Sequence, residues 1–168
     1  MTKPIFVING PNLNRLGKRE PEIYGTTTLA EIEAMCRKAA GDRPIRFHQS
    51  NAEHEIIGWI HDAIDEGAGI VINPAAFSFT SIAILDALKM FPGPIIELHI
   101  SNIHKREAYY HNSYVSKVAT AVIAGLGPPL LYATATATQK TSFLKGMRSF
   151  PLLVIVGFGL SSAHRSQS

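Results

Sequence analysis

Short runs of apolar, largely β-branched residues punctuate the chain, and they constrain its fold more than any other feature. Pro4–Ile8, Gly69–Ile72, Ile95–Leu98 and Ala119–Ala124 contain one charged residue between them, Glu97. Runs of this length without polar alternation are strands buried on both faces, as in a parallel sheet covered by helices. Ile45–Gln49 is a further strand, with alternating character.

Helical patterns separate these strands. Thr28 and Glu31 have the spacing of a capping box, Leu29, Ile32, Met35 and Ala39 share one face, and Gly41 is placed to stop the helix. Ser50 or Asn51 caps a second helix with the stripe Ile56, Ile57, Ile60, Ala63 and Ile64, closed by Gly67. Thr80–Lys89 is a third, turning Ile82, Ala83, Leu85 and Leu88 to a core, and Glu107–Tyr114 is partly helical. Strand–helix alternation with short connections predicts an α/β fold, a doubly wound parallel sheet with helices on both faces. The exception is Gly10–Thr27, an irregular stretch rich in Gly, Pro and charge. A loop of that length in a compact domain is uncommon and is usually a functional lid or disordered.

A chain of 168 residues, 46% hydrophobic and 17% charged, suits one domain with a packed core. The single cysteine, Cys36, excludes an intrachain disulfide and a Cys-rich zinc site. The pI of about 9.1 invites a nucleic-acid or anionic-surface partner. However, the charged residues after Gly125 are Lys140, Lys145, Arg148 and Arg165, all basic, against a whole-chain net charge of +3. The body before them is therefore close to neutral, with no basic–aromatic pattern, and no nucleic acid is expected. The most apolar run, Phe150–Leu160, is well short of the roughly 20 residues of a membrane-spanning helix. No secretory signal precedes Asn9, so no membrane partner and a cytoplasmic location are expected.

In open α/β sheets, ligands bind beyond the carboxyl ends of the strands. Asn9, Asn12, Arg15, Arg19 and Tyr24 follow the first strand; Gln49, Ser50 and Asn51 the second; Asn73 the third; His99, Ser101 and Asn102 the fourth. Polar groups thus converge on one edge of the sheet. Gly10 to Gly17-Lys18 is two residues too long for a P-loop, and no Gly-x-Gly-x-x-Gly follows the first strand. His54 with His61, and His99 with His104, lack convincing ligand spacing, so no metal is expected. Glu97 and His99 share a strand face, so the carboxylate can fix the tautomer of the imidazole or hold it protonated, although a core histidine bonded to backbone is equally compatible. Tyr24 lies five residues after Arg19. A neighbouring guanidinium favours phenolate and lowers a phenol's pKa from about 10, which would make a tyrosine a general base. Without further context, a tyrosine packed against its own loop is the plainer reading.

Four stretches together resemble the type II 3-dehydroquinate dehydratase (type II dehydroquinase) family: Ile8-Asn9-Gly10-Pro11-Asn12-Leu13 through Tyr24-Gly25, Gln49-Ser50-Asn51 with Trp59-Ile60-His61, Ile72-Asn73-Pro74 through Thr80-Ser81, and Ile96 through His104. Ser113-Tyr114 and Ala124-Gly125-Leu126-Gly127 continue the likeness, which spans Pro4 to Gly127. The resemblance implies a flavodoxin-like five-stranded parallel sheet and trimers assembled into a homododecamer. It implies a lyase that removes water from 3-dehydroquinate by anti elimination through an enolate, with no metal, no Schiff base and no other cofactor. Tyr24 would then be the base and Arg19 its activator. Asn12 and a water would stabilise the enolate oxygen, and His99, backed by Glu97, would protonate the departing hydroxyl. Asn73 and the backbone of Ile100 and Ser101 would hold the substrate carboxylate, Asp86 would reach a neighbouring subunit's site, and Leu13–Tyr24 would be a closing lid. Whether the role is aromatic amino acid biosynthesis in the shikimate pathway or quinate catabolism is left open.

Two substrate-contacting positions depart from the family. Phe79, in Ser78-Phe79-Thr80-Ser81, stands where the family has histidine, and Tyr110 stands where it has arginine. Both family residues bond ring hydroxyls, and each lost bond costs about 1–3 kcal/mol. His111 is adjacent and could substitute in part. Two alternatives follow: a related lyase for a different cyclic hydroxy-keto acid, or a catalytically impaired homologue acting as a scaffold. The likeness ends at Pro128-Pro129, which divides the chain into a domain at 1–127 and a divergent basic tail at 128–168. Disorder and a shifted reading frame are the two accounts of that tail.

Overall fold

The computed structural model describes residues 2–127 and, beyond them, the strand at 153–156. The apolar runs become β1 (Ile5–Asn9), β3 (Gly69–Asn73), β4 (Ile95–His99) and β5 (Ala121–Ala124), and the alternating run becomes β2 (Ile45–Gln49). All residues of β1, β3 and β4 are buried, whereas β2 buries only Ile45. The difference follows from position: β2 is an edge strand in a sheet of order β2-β1-β3-β4-β5-β6. Every described pairing is parallel.

The sheet exceeds the expected five strands by one. β6 (Leu153–Val156) pairs parallel to β5, with Ala121 opposite Leu153 and Ala124 opposite Val156. Its Leu-Val-Ile-Val sequence is rich in β-branched residues, and it satisfies the outer edge of β5, which a five-stranded sheet would leave unpaired. The expectations for the tail that concern Leu130–Lys145 lie outside the described residues.

Pleating sends alternate residues of each strand into one of two cores. Ile5, Val7, Val71, Ile96 and Leu98 meet Ile32, Cys36 and Ala40 of α2 (Leu29–Ala40). Phe6, Ile8, Ile70, Ile72 and Ile95 meet Ile56, Ile60 and Ala63 of α3 (Glu53–Glu66) and Ile84 and Leu88 of α4 (Ile82–Lys89). The capping box of α2 forms as its spacing predicts, with Thr28 Oγ1 accepting from the Glu31 amide and Glu31 accepting from the Thr28 amide.

Two other helix starts differ from expectation. Helix α4 starts at Ile82, two residues after the expected Thr80, and is capped by Ser81, whose Oγ accepts from the Ile84 amide at 2.8 Å. Helix α3 has Ala52 at its cap position with no side-chain cap. Ser50 instead braces the turn before it, accepting from the Ala52 amide at 2.8 Å and bonding Glu55. The irregular stretch after β1 contains one tight turn at Leu13–Arg15 and a one-turn helix, α1 (Pro21–Tyr24). The partly helical stretch at 107–114 is a single turn at Ala108–Tyr110.

The chain leaves β1 toward β2 on one side and later returns to place β3 on the other. The carboxyl ends of β1 and β3 therefore open the crevice where ligands bind in such sheets. Asn9 and Asn73 are register partners there, and the Gly10 amide donates to the Asn73 carbonyl at 2.8 Å. A Cβ at Gly10 would stand 2.3 Å from the Pro74 carbonyl oxygen, so only glycine lets the two exits approach this closely. Among the described residues, no helix is long and apolar enough to cross a membrane.

Candidate active site

A cleft of about 660 Å³, counted to its open mouth, lies at the carboxyl ends of β1, β3 and β4. It is lined by nine of the residues singled out in the sequence: Asn12, Arg19, Tyr24, Asn73, Phe79, His99, Ile100, Ser101 and Tyr110. Glu97 lies behind it and Asp86 outside it. Among the described residues, no group of three or more His, Cys, Asp or Glu side chains is arranged to hold a metal ion.

The β4 side of the cleft is rigidly bonded. Glu97 is 0% exposed and His99 4% exposed. His99 Nε2 and Glu97 Oε1 are 2.9 Å apart. The Ser113 hydroxyl donates to the same carboxylate oxygen at 2.5 Å, and the Ser116 hydroxyl donates to the other. Burial pushes the Glu97 pKa up. The bond and charge of His99, with the two hydroxyls, outweigh burial and hold it below the usual carboxylate value. An ionised carboxylate only accepts, so His99 Nε2 carries the proton of that bond and Nδ1 is the ring nitrogen left for the cleft. Asn73 is placed similarly by its strand. Its Oδ1 accepts from the Ala75 amide at 3.3 Å, and its amide nitrogen is the group left for the cleft.

The opposite side is built by the segment between β1 and α2. Tyr24, on α1, is half-buried and packs its ring against the α2-side core. The expected partner, Arg19, lies over the ring face with its guanidinium carbon 5.5 Å from the centroid, while its Nε bonds Glu20 at 2.8 Å. The direct contact to the phenol oxygen comes from Arg106, whose Nη1 donates to it at 3.1 Å. Partial burial pulls the Arg106 pKa down, but the potentials of Tyr24, Tyr110 and Glu107 carry it above its ordinary value. The sequence does hold a signal for Arg106. It follows Ile103-His104-Lys105, only a few residues beyond the polar cluster at the end of β4, where the strand-end inventory stopped.

An aromatic wall closes the third side. Phe79 and Tyr110 meet edge to face with centroids 5.1 Å apart, and Phe79 stacks near the His99 ring at 6.1 Å. The Arg106 guanidinium covers Tyr110 at 3.9 Å. His111 does not line the cleft: its Nε2 is bonded to the Arg106 carbonyl at 2.9 Å. It therefore gives no replacement donor beside Phe79. Asp86 is exposed on α4 and pairs with Lys89 at 3.6 Å. It takes no part in this chain's own cleft.

Residues 3–139 match the family model described as dehydroquinase class II. The chain belongs to this family. A protein of Agrobacterium fabrum named 3-dehydroquinate dehydratase 2 is 62% identical over 124 residues, 72% of this chain and 84% of that protein. The Streptomyces coelicolor 3-dehydroquinate dehydratase is 58% identical over 127 residues, 74% of this chain and 81% of its own length. The crystal structure of type II dehydroquinase from Propionibacterium acnes superimposes with a TM-score of 0.77 at 46% identity, covering 81% of this chain and 95% of that one. The five-stranded core and its helices are thus those of the dehydroquinase fold, with β6 standing beside β5.

Proposed function

We infer that this chain is a type II 3-dehydroquinate dehydratase, a hydro-lyase that converts 3-dehydroquinate to 3-dehydroshikimate in the shikimate pathway. The observation that carries its chemistry is the opposed pair across the cleft. A phenol bonded to a guanidinium faces an imidazole whose far nitrogen is bonded to a buried carboxylate.

The elimination is assigned to these groups in order. Tyr24 removes the proton next to the ketone. The Arg106 guanidinium, donating to the phenol oxygen, stabilises negative charge there, and Arg19 adds positive potential over the ring. Asn12 stabilises the enolate oxygen, a charge that develops only as the reaction proceeds, so its effect falls on the transition state. His99 protonates the departing hydroxyl from the other face, which makes the elimination anti, and Glu97 orients and supports the imidazole. Asn73 and the backbone at Ile100 and Ser101 hold the substrate carboxylate. The segment from Leu13 to Tyr24 closes over the bound ring and excludes water.

Asp86 and the exposed Ile82 and Met90 share the outer part of α4 and its end, and they support contact with a second copy of the chain. In that assembly, a trimer-based dodecamer, Asp86 reaches the neighbouring cleft. A cytoplasmic location fits the same reading. The aromatic wall of Phe79 and Tyr110 favours one variation: slower turnover of 3-dehydroquinate than in relatives that bond its ring hydroxyls, or a preference for a ring with fewer of them.

The test is a direct assay of the purified protein with 3-dehydroquinate, following the conjugated enone of the product in the ultraviolet. A steady rise in absorbance is expected. No rise at any enzyme concentration would sink the assignment. Faster turnover of a deoxy analogue would move it to the related substrate.

A further inference from the structure

The segment that leaves β1 toward the cleft is bonded to the exit of β2, and the side chains that bond it have no part in the chemistry above. Asn12 sits in the left-handed region at φ 66°, ψ 0°, which a residue with a Cβ adopts at a cost. Its amide donates to Asn51 Oδ1 at 2.8 Å. Gln49 Nε2 donates to that same oxygen at 3.3 Å and to the Gly10 carbonyl at 3.2 Å. The support beneath them is firm. The Ser50 amide donates to the Asn9 carbonyl at 3.0 Å, and the Ser50 hydroxyl is bonded to both Glu55 and the Ala52 amide. The exit of β2 thus grips the exit of β1 through side chains, and the last point gripped is the residue that lines the cleft.

We propose that Asn51, supported by Gln49, is a positioning residue that holds Asn12 in its left-handed conformation and so aims the Asn12 carboxamide at the enolate oxygen. The Asn12 side chain makes no cap bond of its own. Its starting direction is set by its backbone, which Asn51 holds at the Asn12 amide and the Arg15 amide holds at the Asn12 carbonyl. A donor must lie within a few tenths of an ångström of where charge appears to stabilise it fully. Loss of the grip should slow the chemical step and spare substrate binding, which the carboxylate-holding groups supply. The proposal rests on the dehydratase reading of the cleft.

The experiment is a double-mutant cycle with a structural readout. Asn51→Ala should lower kcat 10- to 100-fold with KM changed less than threefold. Asn51→Asp, which keeps an acceptor for the Asn12 amide and for Gln49, should recover most of it. In an Asn12→Ala background, Asn51→Ala should cost little more, because the group it aims is gone. Hydrogen exchange of the peptide spanning residues 9–16 should accelerate in Asn51→Ala and not in Asn51→Asp, and thermal melts should show both variants folded. Independent, fully additive losses in the cycle, or unchanged exchange in Asn51→Ala, would overturn the positioning role. If wild-type protein fails to dehydrate 3-dehydroquinate, the dehydratase reading falls. The exchange measurement then still decides whether Asn51 holds the Asn12 backbone.

Discussion

The two sides of the cleft are made differently. On the β4 side, His99 and Glu97 sit within a strand, almost wholly buried, and three donors converge on Glu97. On the facing side, Tyr24 stands on a one-turn helix between two irregular stretches, and Arg19 and Glu20 pair in the open with 41% of each side chain exposed. One side is arranged by the sheet before any substrate arrives. The other depends on local turns and on contacts reaching across from Arg106 and Asn51. Stability and catalysis should therefore separate across the cleft: damage on the β4 side harms both, and damage on the facing side harms turnover alone.

The largest effects test whether the two sides are equal in chemistry. His99→Ala and Tyr24→Phe should each lower kcat at least 10³-fold in the enone assay, in the range expected when a positioned acid or base is removed. Assembly should be unchanged in both. Full activity in either would remove its residue from the mechanism. The next comparison should split the sides. Glu97→Ala removes a buried carboxylate bonded to His99 and strands two hydroxyls, and should cost about 3 kcal/mol in chemical denaturation. Arg19→Ala removes an exposed pair and should change stability by less than about 0.5 kcal/mol while lowering turnover. Equal stability losses would erase the distinction.

A third test addresses the aromatic wall. Phe79→His should place a hydrogen-bonding group against the substrate ring and raise kcat/KM for 3-dehydroquinate about tenfold, corresponding to one recovered bond of roughly 1.4 kcal/mol. The smallest expected effect is a pH dependence. Because the Glu97 pKa is lower in the fold than its ordinary 4.5, its contribution to stability is complete above that value. It is lost as pH falls below 4.5 and through the depressed folded value. Denaturation midpoints of the wild type should fall across that acid window, with less change in Glu97→Ala.

The strand-to-strand logic was legible in the sequence because burial on both faces leaves a plain trace, and Asn73, Glu97 and His99 were placed by the same logic. The capping box of α2 was legible because it is a local bond with fixed spacing. What was missed is long-range. Arg106 reaches Tyr24 across 82 residues, and Asn51 reaches Asn12 across 39. Neither pairing has a periodicity to betray it. The cap of α3 misled for a physical reason: Ser50 has the right chemistry but spends its hydroxyl one residue before the helix. The sixth strand was visible as an apolar run, yet nothing local says that a run so far along the chain returns to the open edge of β5.

Among the described residues, three that are not glycine have a positive φ: Asn12 at 66°, Glu20 at 40° and Ala75 at 51°. All three lie in the loops around the cleft, two of them on its lining. For anyone engineering a hardier version of this protein, these are the positions where a glycine would relieve conformational cost most simply. Asn12 and Ala75 are also among the residues that line the cleft. Thermal tolerance and turnover are therefore set against each other in this short stretch of chain, and a search for heat-resistant variants should find its easiest gains where activity can least absorb them.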